Sequence, residues 1–197
     1  MKPNPGTKWL DVDALARALR PGADVAIRYF IARVGPVPDP GAPGRQKLYL
    51  QALGTLPNVS IHYGRFRTDP KSMPLVAPSP GGPRFATVHK TEEKGSDVNL
   101  ATYLLLDGFD DRYDDAVVIS NDTDLREPIA QANRRFGRVD VVNPDVAKSG
   151  QSTPMSALRQ VAASASSLTL PMLLACQLPS PLVLPSGRTV TRPASWT

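Results

Sequence analysis

"DAVVISNDTDLREPIAQANRRFGRVDVVNP", residues 115–144, is the stretch on which the fold turns. It opens with a short apolar run, 115–120, bounded by polar residues, which predicts a buried strand. A helix follows over 125–137 and is closed by Gly137, and a second strand occupies 138–144. Between the first strand and the helix stand Asp122 and Asp124, one residue apart. The end of a buried strand is an expensive place for two negative charges, so their presence asks for a chemical reason.

The same alternation continues upstream. Residues 9–19 ("WLDVDALARAL") carry apolar residues at helical spacing, and 23–34 ("ADVAIRYFIARV") read as a strand. A helix is predicted over 45–56, strands over 58–66 and 85–91, and a helix over 96–109. Strands alternating with helices predict an α/β fold, a mostly parallel sheet between helix layers. From about residue 145 the rhythm fails, and a small helix near 155–163, a Leu/Pro segment and a polar tail read as a C-terminal extension. The expected division is therefore 1–145 for the main domain and 146–197 for the extension. The chain has 21 prolines, clustered in 36–43 and 70–83, and both stretches read as loops.

Bulk composition narrows the function classes. The 197 residues, 41% of them hydrophobic, suffice for one α/β domain with an appendage. A single cysteine, Cys176, excludes an internal disulfide and a thiolate metal cage, and it suits a reducing cytoplasm. The N-terminus lacks the apolar core of a signal peptide. The most membrane-like stretch, 168–185, is broken by four prolines, so no membrane partner is expected. A net charge of +5 favours a polyanionic partner. Only two histidines exist, His62 and His89, which leaves little for a histidine acid–base pair.

In an open parallel sheet, strand-to-helix loops emerge at the carboxyl ends of the strands, where ligands bind. Asp122 and Asp124 follow strand 115–120, and Asp97 follows strand 85–91 where the next helix begins. Three carboxylates from two loops thus open onto one edge. The helix after Asp97 is apolar almost all round, which predicts that it is buried. Crowded carboxylates raise one another's pKa unless a cation neutralises them, and an all-oxygen donor set suits Mg2+ or Mn2+. Such an ion activates water and stabilises a phosphodiester transition state without a histidine base. Taken singly, each Asp is accounted for by helix capping and the helix dipole, but capping does not explain their convergence.

Two other charged groups stand out. "DGFDDRYDD" (107–115) holds five Asp but lacks the alternating spacing of a calcium loop, and reads as a solvated turn in which Gly108 ends the helix. Arg65, Arg67, Lys71, Arg84, Lys90 and Lys94 flank the second proline-rich stretch, as either scattered surface charge or a wall that tracks phosphates.

The segment "KGSDVNLATYLLLDGFDDRYDDAVVISNDTDLREPI" (94–129) resembles the NYN domain, a branch of the PIN-like nucleases. The resemblance covers roughly 8–145 and rests chiefly on K-G-x-D-V and S-N-D-x-D-L. It implies a Rossmann-like α/β/α fold and metal-dependent endoribonuclease activity on single-stranded RNA. Asp97, Asp122 and Asp124 would be the catalytic, metal-binding acids, with Lys94 or Arg126 placed to touch phosphate. The family pattern begins with an apolar strand ending in D-G-x-N, which this sequence does not show. That departure implies impaired activity, a gap in the middle of the sheet, and a longer protein of which this chain is a shortened version. Two competing functions remain: a non-catalytic RNA- or protein-binding module of the same fold, and a nucleotide-sugar transferase using Asp122-Thr123-Asp124 as its D-x-D site. No Gly-rich phosphate loop is present, which ranks NTPase and NAD chemistry lower.

Overall fold

The computed structural model describes residues 5–37, 39–146 and 154–196. The 115–144 stretch folds as its pattern predicts, into β4 (Asp115–Ile119), one tight helical turn (Thr123–Leu125), α4 (Arg126–Arg135) and β5 (Arg138–Asn143). A side chain at Gly137 would meet the Asp114 carbonyl oxygen at 2.2 Å, so only glycine lets β5 start this close to β4. Upstream lie α1 (Val12–Leu19), β1 (Ile27–Ala32), α2 (Ala42–Leu53), β2 (Val59–Pro74), β3 (Phe85–Lys94) and α3 (Ser96–Phe109). Downstream come α5 (Ser156–Arg159), β6 (Ser164–Ser167), α6 (Leu170–Ala175), β7 (Leu182–Val183) and β8 (Thr189–Val190).

The fold is mixed α/β, with sheets of mostly parallel strands and helices on both faces. Alternation along the strands shows the two faces directly. Val139 and Val141 of β5 pack with α3, α4 and Leu158, whereas Val142 turns the other way onto Leu15 of α1 and Leu168. Tyr29 of β1 faces α2 and Trp9, while Phe30 faces Tyr103 of α3. Ser164–Ser167 was not legible as a strand, having no apolar run, yet it pairs in parallel with β5. Leu178, Leu182 and Trp196 complete the core around Trp9, so the segment after residue 145 closes the main core.

Three expectations need correcting. The described strands form two sheets of three, β1-β2-β3 and β4-β5-β6, and a two-stranded pair β7-β8, rather than one sheet. Among the described residues, β1 and β4 are each paired on one side only. Second, 85–91 is not a parallel strand of the sandwich. β2 runs past the end of β1, which stops at Ala32 opposite Gly64, and continues to Pro74, where β3 returns antiparallel to it. Residues 70–74 of the 70–83 stretch are thus strand, and the rest joins β2 to β3. Pro70 and Pro74 are tolerated because beyond Gly64 this strand has one free edge. Third, α3 is not buried all round. It packs through Leu100 and Leu104, while Val98, Leu106 and Phe109 on the far side are 67%, 48% and 65% exposed. Nor does Gly108 end that helix. It lies inside the last turn, where the Phe136 ring fills the space of a side chain. Among the described residues, no helix is long and apolar enough to cross a membrane.

Candidate functional site

Two connections, from β3 into α3 and from β4 into α4, bring the sequence-selected carboxylates to the same end of the molecule. β1 and β2 are paired in parallel up to Ala32 and Gly64. A side chain at Gly64 would lie 2.7 Å from Ser96 Oγ and 2.9 Å from the Lys94 carbonyl. The start of α3 is therefore pressed against β2 at the point where its parallel pairing with β1 ends. Asp97 is reached by a different route from the one the sequence suggests: β3 is the antiparallel return strand of an arm and leads back from its tip into α3.

Asp97 stands in the first turn of α3, whose N-cap is Gly95 and has no side-chain cap. Its carboxyl is pushed above the usual range, first by partial desolvation and then by the charges of Asp122, Glu93 and Asp124. Asp97 itself remains exposed to solvent, so its desolvation is partial. Asp122, Glu93 and Asp124 are thus near enough for their charges to reach Asp97. Among the described residues, however, no three His, Cys, Asp or Glu side chains gather closely enough to hold an ion as a cage.

The loop after β4 is held by its own hydrogen bonds. Asp122 is the N-cap of the turn Thr123–Leu125, its Oδ1 accepting the Asp124 N–H at 2.9 Å. The Asp122 N–H in turn donates to Ser120 Oγ at 3.1 Å, and Asn121 Oδ1 accepts from the Met155 N–H at 2.9 Å. Capping thus accounts for one oxygen of Asp122, while Asp97 makes no cap. The donor chemistry fits Mg2+ or Mn2+. Mg2+ is commonly held by one or two carboxylates with substrate phosphates and water, rather than by an all-protein cage.

Glu93 was missed by sequence reasoning. The signal was the Glu92-Glu93 pair directly ahead of "KGSD", whose second member also accepts from Ser96 Oγ. Glu92 is occupied otherwise: Lys90 and Lys94 hold it down to about 2. Lys94 lies 3.2 Å from Glu92 and lines a shallow depression with Tyr63, Gly64, Arg65, Gly95 and Asn99. Arg126, the first residue of α4, is exposed. Of the acidic cluster 107–115, Asp107 is no solvated turn residue, for it forms an ion pair with Arg28 of β1. That guanidinium stacks 4.4 Å over the Tyr103 ring and contacts His62. Burial, then the Arg28 charge, pushes the imidazole of His62 down, which makes it a neutral packing residue.

No family model matches the chain. It is 29% identical over 192 residues to the 6-hydroxy-3-succinoylpyridine 3-monooxygenase HspA of Pseudomonas putida (strain DSM 28022 / S16). That match takes in 91% of this chain, which spans about 60% of the relative's length. Among solved structures, it resembles a Vibrio parahaemolyticus protein of unknown function with a TM-score of 0.50 and 12% identity. The likeness covers 82% of this chain and 80% of the other, and concerns the fold alone.

Proposed function

We propose that this chain is a divalent-metal-dependent ribonuclease of the NYN type, built on a Rossmann-like, PIN-like α/β/α core and working in the cytoplasm. The observation that carries this reading is that Asp97, at the start of α3, lies close enough to Asp122 and Asp124, in the connection after β4, for their charges to push its carboxyl up. A bound Mg2+ or Mn2+ would neutralise this charge and supply an activated water for phosphodiester hydrolysis. The chain's own residues have defined tasks. Asp97 and Asp122 present carboxylate oxygens, the cap bond from Asp124 fixes the orientation of Asp122, and Lys94 and Arg126 offer cations to the substrate phosphates.

Single-stranded RNA incubated with Mn2+ is expected to be cleaved by the wild type and spared by Asp97→Asn and Asp122→Asn. Equal cleavage by the variants would sink the assignment of the site. RNA binding undiminished in EDTA, with no cleavage under any metal, would favour a non-catalytic RNA-binding module. The 29% identity with the monooxygenase carries a second reading, hydroxylation of a substituted pyridine. Oxygen consumption with 6-hydroxy-3-succinoylpyridine and a reductant, retained in Asp122→Asn, would establish that reading over the first.

A further inference from the structure

The antiparallel extension of β2 and β3 is a two-stranded arm with residues exposed on both faces along most of its length. Its register runs from Arg65↔Lys94 to Pro74↔Phe85, and the Leu75 N–H donates to the Arg84 carbonyl at 2.9 Å, one step beyond. At about 3.4 Å per residue the arm is roughly 30 Å long. Residues opposite each other share a face, and faces alternate along each strand. One face therefore carries Arg65 with Lys94, Arg67 with Glu92, Asp69 with Lys90, Lys71 with Val88, Met73 with Ala86, and Leu75 with Arg84. All six Lys and Arg residues of the arm fall on this face, against two acids. The other face holds Phe66, Thr68, His89, Thr91, Phe85 and the single acid Glu93.

Scattered surface charge would place cations on both faces. Sorting all six onto one produces a cationic strip with a charge at nearly every second rung, about 7 Å apart. The strip's ion pairs are weak restraints. Arg67 with Asp69 (2.6 Å), Lys90 with Glu92, and Lys94 with Glu92 (3.2 Å) are exposed pairs that water and phosphate can replace. Among the described residues, Arg65, Lys71 and Arg84 form no ion pair. The root of the strip, Arg65 with Lys94, borders the same depression as Gly95 and Asn99, two residues on either side of Asp97. From Arg65↔Lys94 to Asp69↔Lys90 every side chain on this face is charged, and the apolar Val88, Met73 and Leu75 lie only towards the tip. A charged stretch of this kind suits a polyanion better than a protein partner, whose interface core is depleted in charge.

We propose that this arm is a phosphate-tracking surface that holds the backbone of single-stranded RNA along its cationic face and leads it to the carboxylates at its root. The destination of the strand rests on the ribonuclease reading; its binding does not. The test is fluorescence anisotropy of a labelled single-stranded RNA with the full chain in EDTA, titrated with salt. Log affinity falls against log salt with a slope of about 0.7 per phosphate contact on single strands. The triple variant Arg67→Ala/Lys71→Ala/Lys90→Ala is expected to flatten this slope by about 2 and to weaken binding at low salt. These side chains are outside the core, so the melting temperature should stay near that of the wild type. Thr87→Ala/His89→Ala, on the other face, is expected to bind as the wild type does. A triple variant with wild-type slope and affinity, or a wild type that binds no RNA, would overturn the proposal. Lost binding in the triple variant beside a wild type that cuts nothing would keep the arm and remove the nuclease. Mn2+-dependent cleavage abolished by Asp122→Asn but untouched by the triple variant would do the reverse.

Discussion

Asp122 is where the structural and chemical explanations of the acidic loop give opposed predictions. Its Oδ1 accepts the Asp124 N–H at 2.9 Å, an N-cap bond that an asparagine side-chain oxygen reproduces and alanine does not. Asp122→Ala should therefore cost about 1 kcal/mol through the cap alone. For a chain of this size that lowers the melting temperature by roughly 2–4 °C. Asp122→Asn keeps the cap and removes one of the charges that push Asp97 up.

The sign of the charge effect follows from that direction. A carboxyl whose folded pKa is raised destabilises the folded state when ionised, so the penalty is present at neutral pH. It fades as pH falls through the raised value towards the ordinary one. Metal-free Asp122→Asn should match or slightly exceed the wild type near pH 7, with the difference closing in acid. An ion that binds only the folded wild type at ten times its dissociation constant adds about 1.4 kcal/mol, or roughly 3–6 °C. Scanning fluorimetry of the wild type, Asp122→Asn and Asp122→Ala in EDTA and in Mn2+, at neutral and acid pH, separates the terms. If Asp122→Asn gains as much from Mn2+ as the wild type, the ion binds elsewhere. If it is as unstable in EDTA as Asp122→Ala, the cap argument is wrong.

Other outcomes can be checked alongside. Gly64→Ala would bring a methyl group to 2.7 Å from Ser96 Oγ and 2.9 Å from the Lys94 carbonyl. It should cost about 1–3 kcal/mol in urea melts and reduce any Mn2+-dependent cleavage by displacing the start of α3. Asp140 of β5 is 4% exposed; burial pushes its carboxyl up, but Ser164, Arg138 and Arg20 outweigh this and hold it low. Its contribution is therefore present above about pH 4 and lost as pH falls below the ordinary carboxylate range. Asp140→Ala should cost about 1–3 kcal/mol at neutral pH, and the gap from wild type should narrow in acid. Hydrogen exchange should be slower across β5, which is paired on both sides, than across β4, where alternate amides point away from the only described neighbour.

What the sequence disclosed and what it hid have the same physical origin. Burial writes itself into composition: Val139, Val141 and Val142 announce β5, and the apolar 115–120 run announces β4, because both lie in the core. β6 was invisible because Ser164–Ser167 contributes backbone hydrogen bonds and almost no apolar side chains. The outer part of β2 was hidden for the same reason, although 85–91 of β3 reads as a strand. Exposed on both faces, it has no hydrophobic period, and its prolines imitate a loop. Its signature is carried by charge instead. Arg65, Arg67 and Lys71 are spaced at even intervals along β2, and Lys90 and Lys94 along β3, with Arg84 just before it at an even interval from both. Even spacing puts each set on one side of its strand, but only the register Arg65↔Lys94 shows that the two sides coincide. A register shifted by one residue would have put the two sets on opposite faces and dispersed the charge. The candidate acids were legible because they end elements that the pattern reveals. The cations depend on a pairing that no single strand encodes, and the chemistry of the site extends along the arm only because that pairing brings both sets to one face.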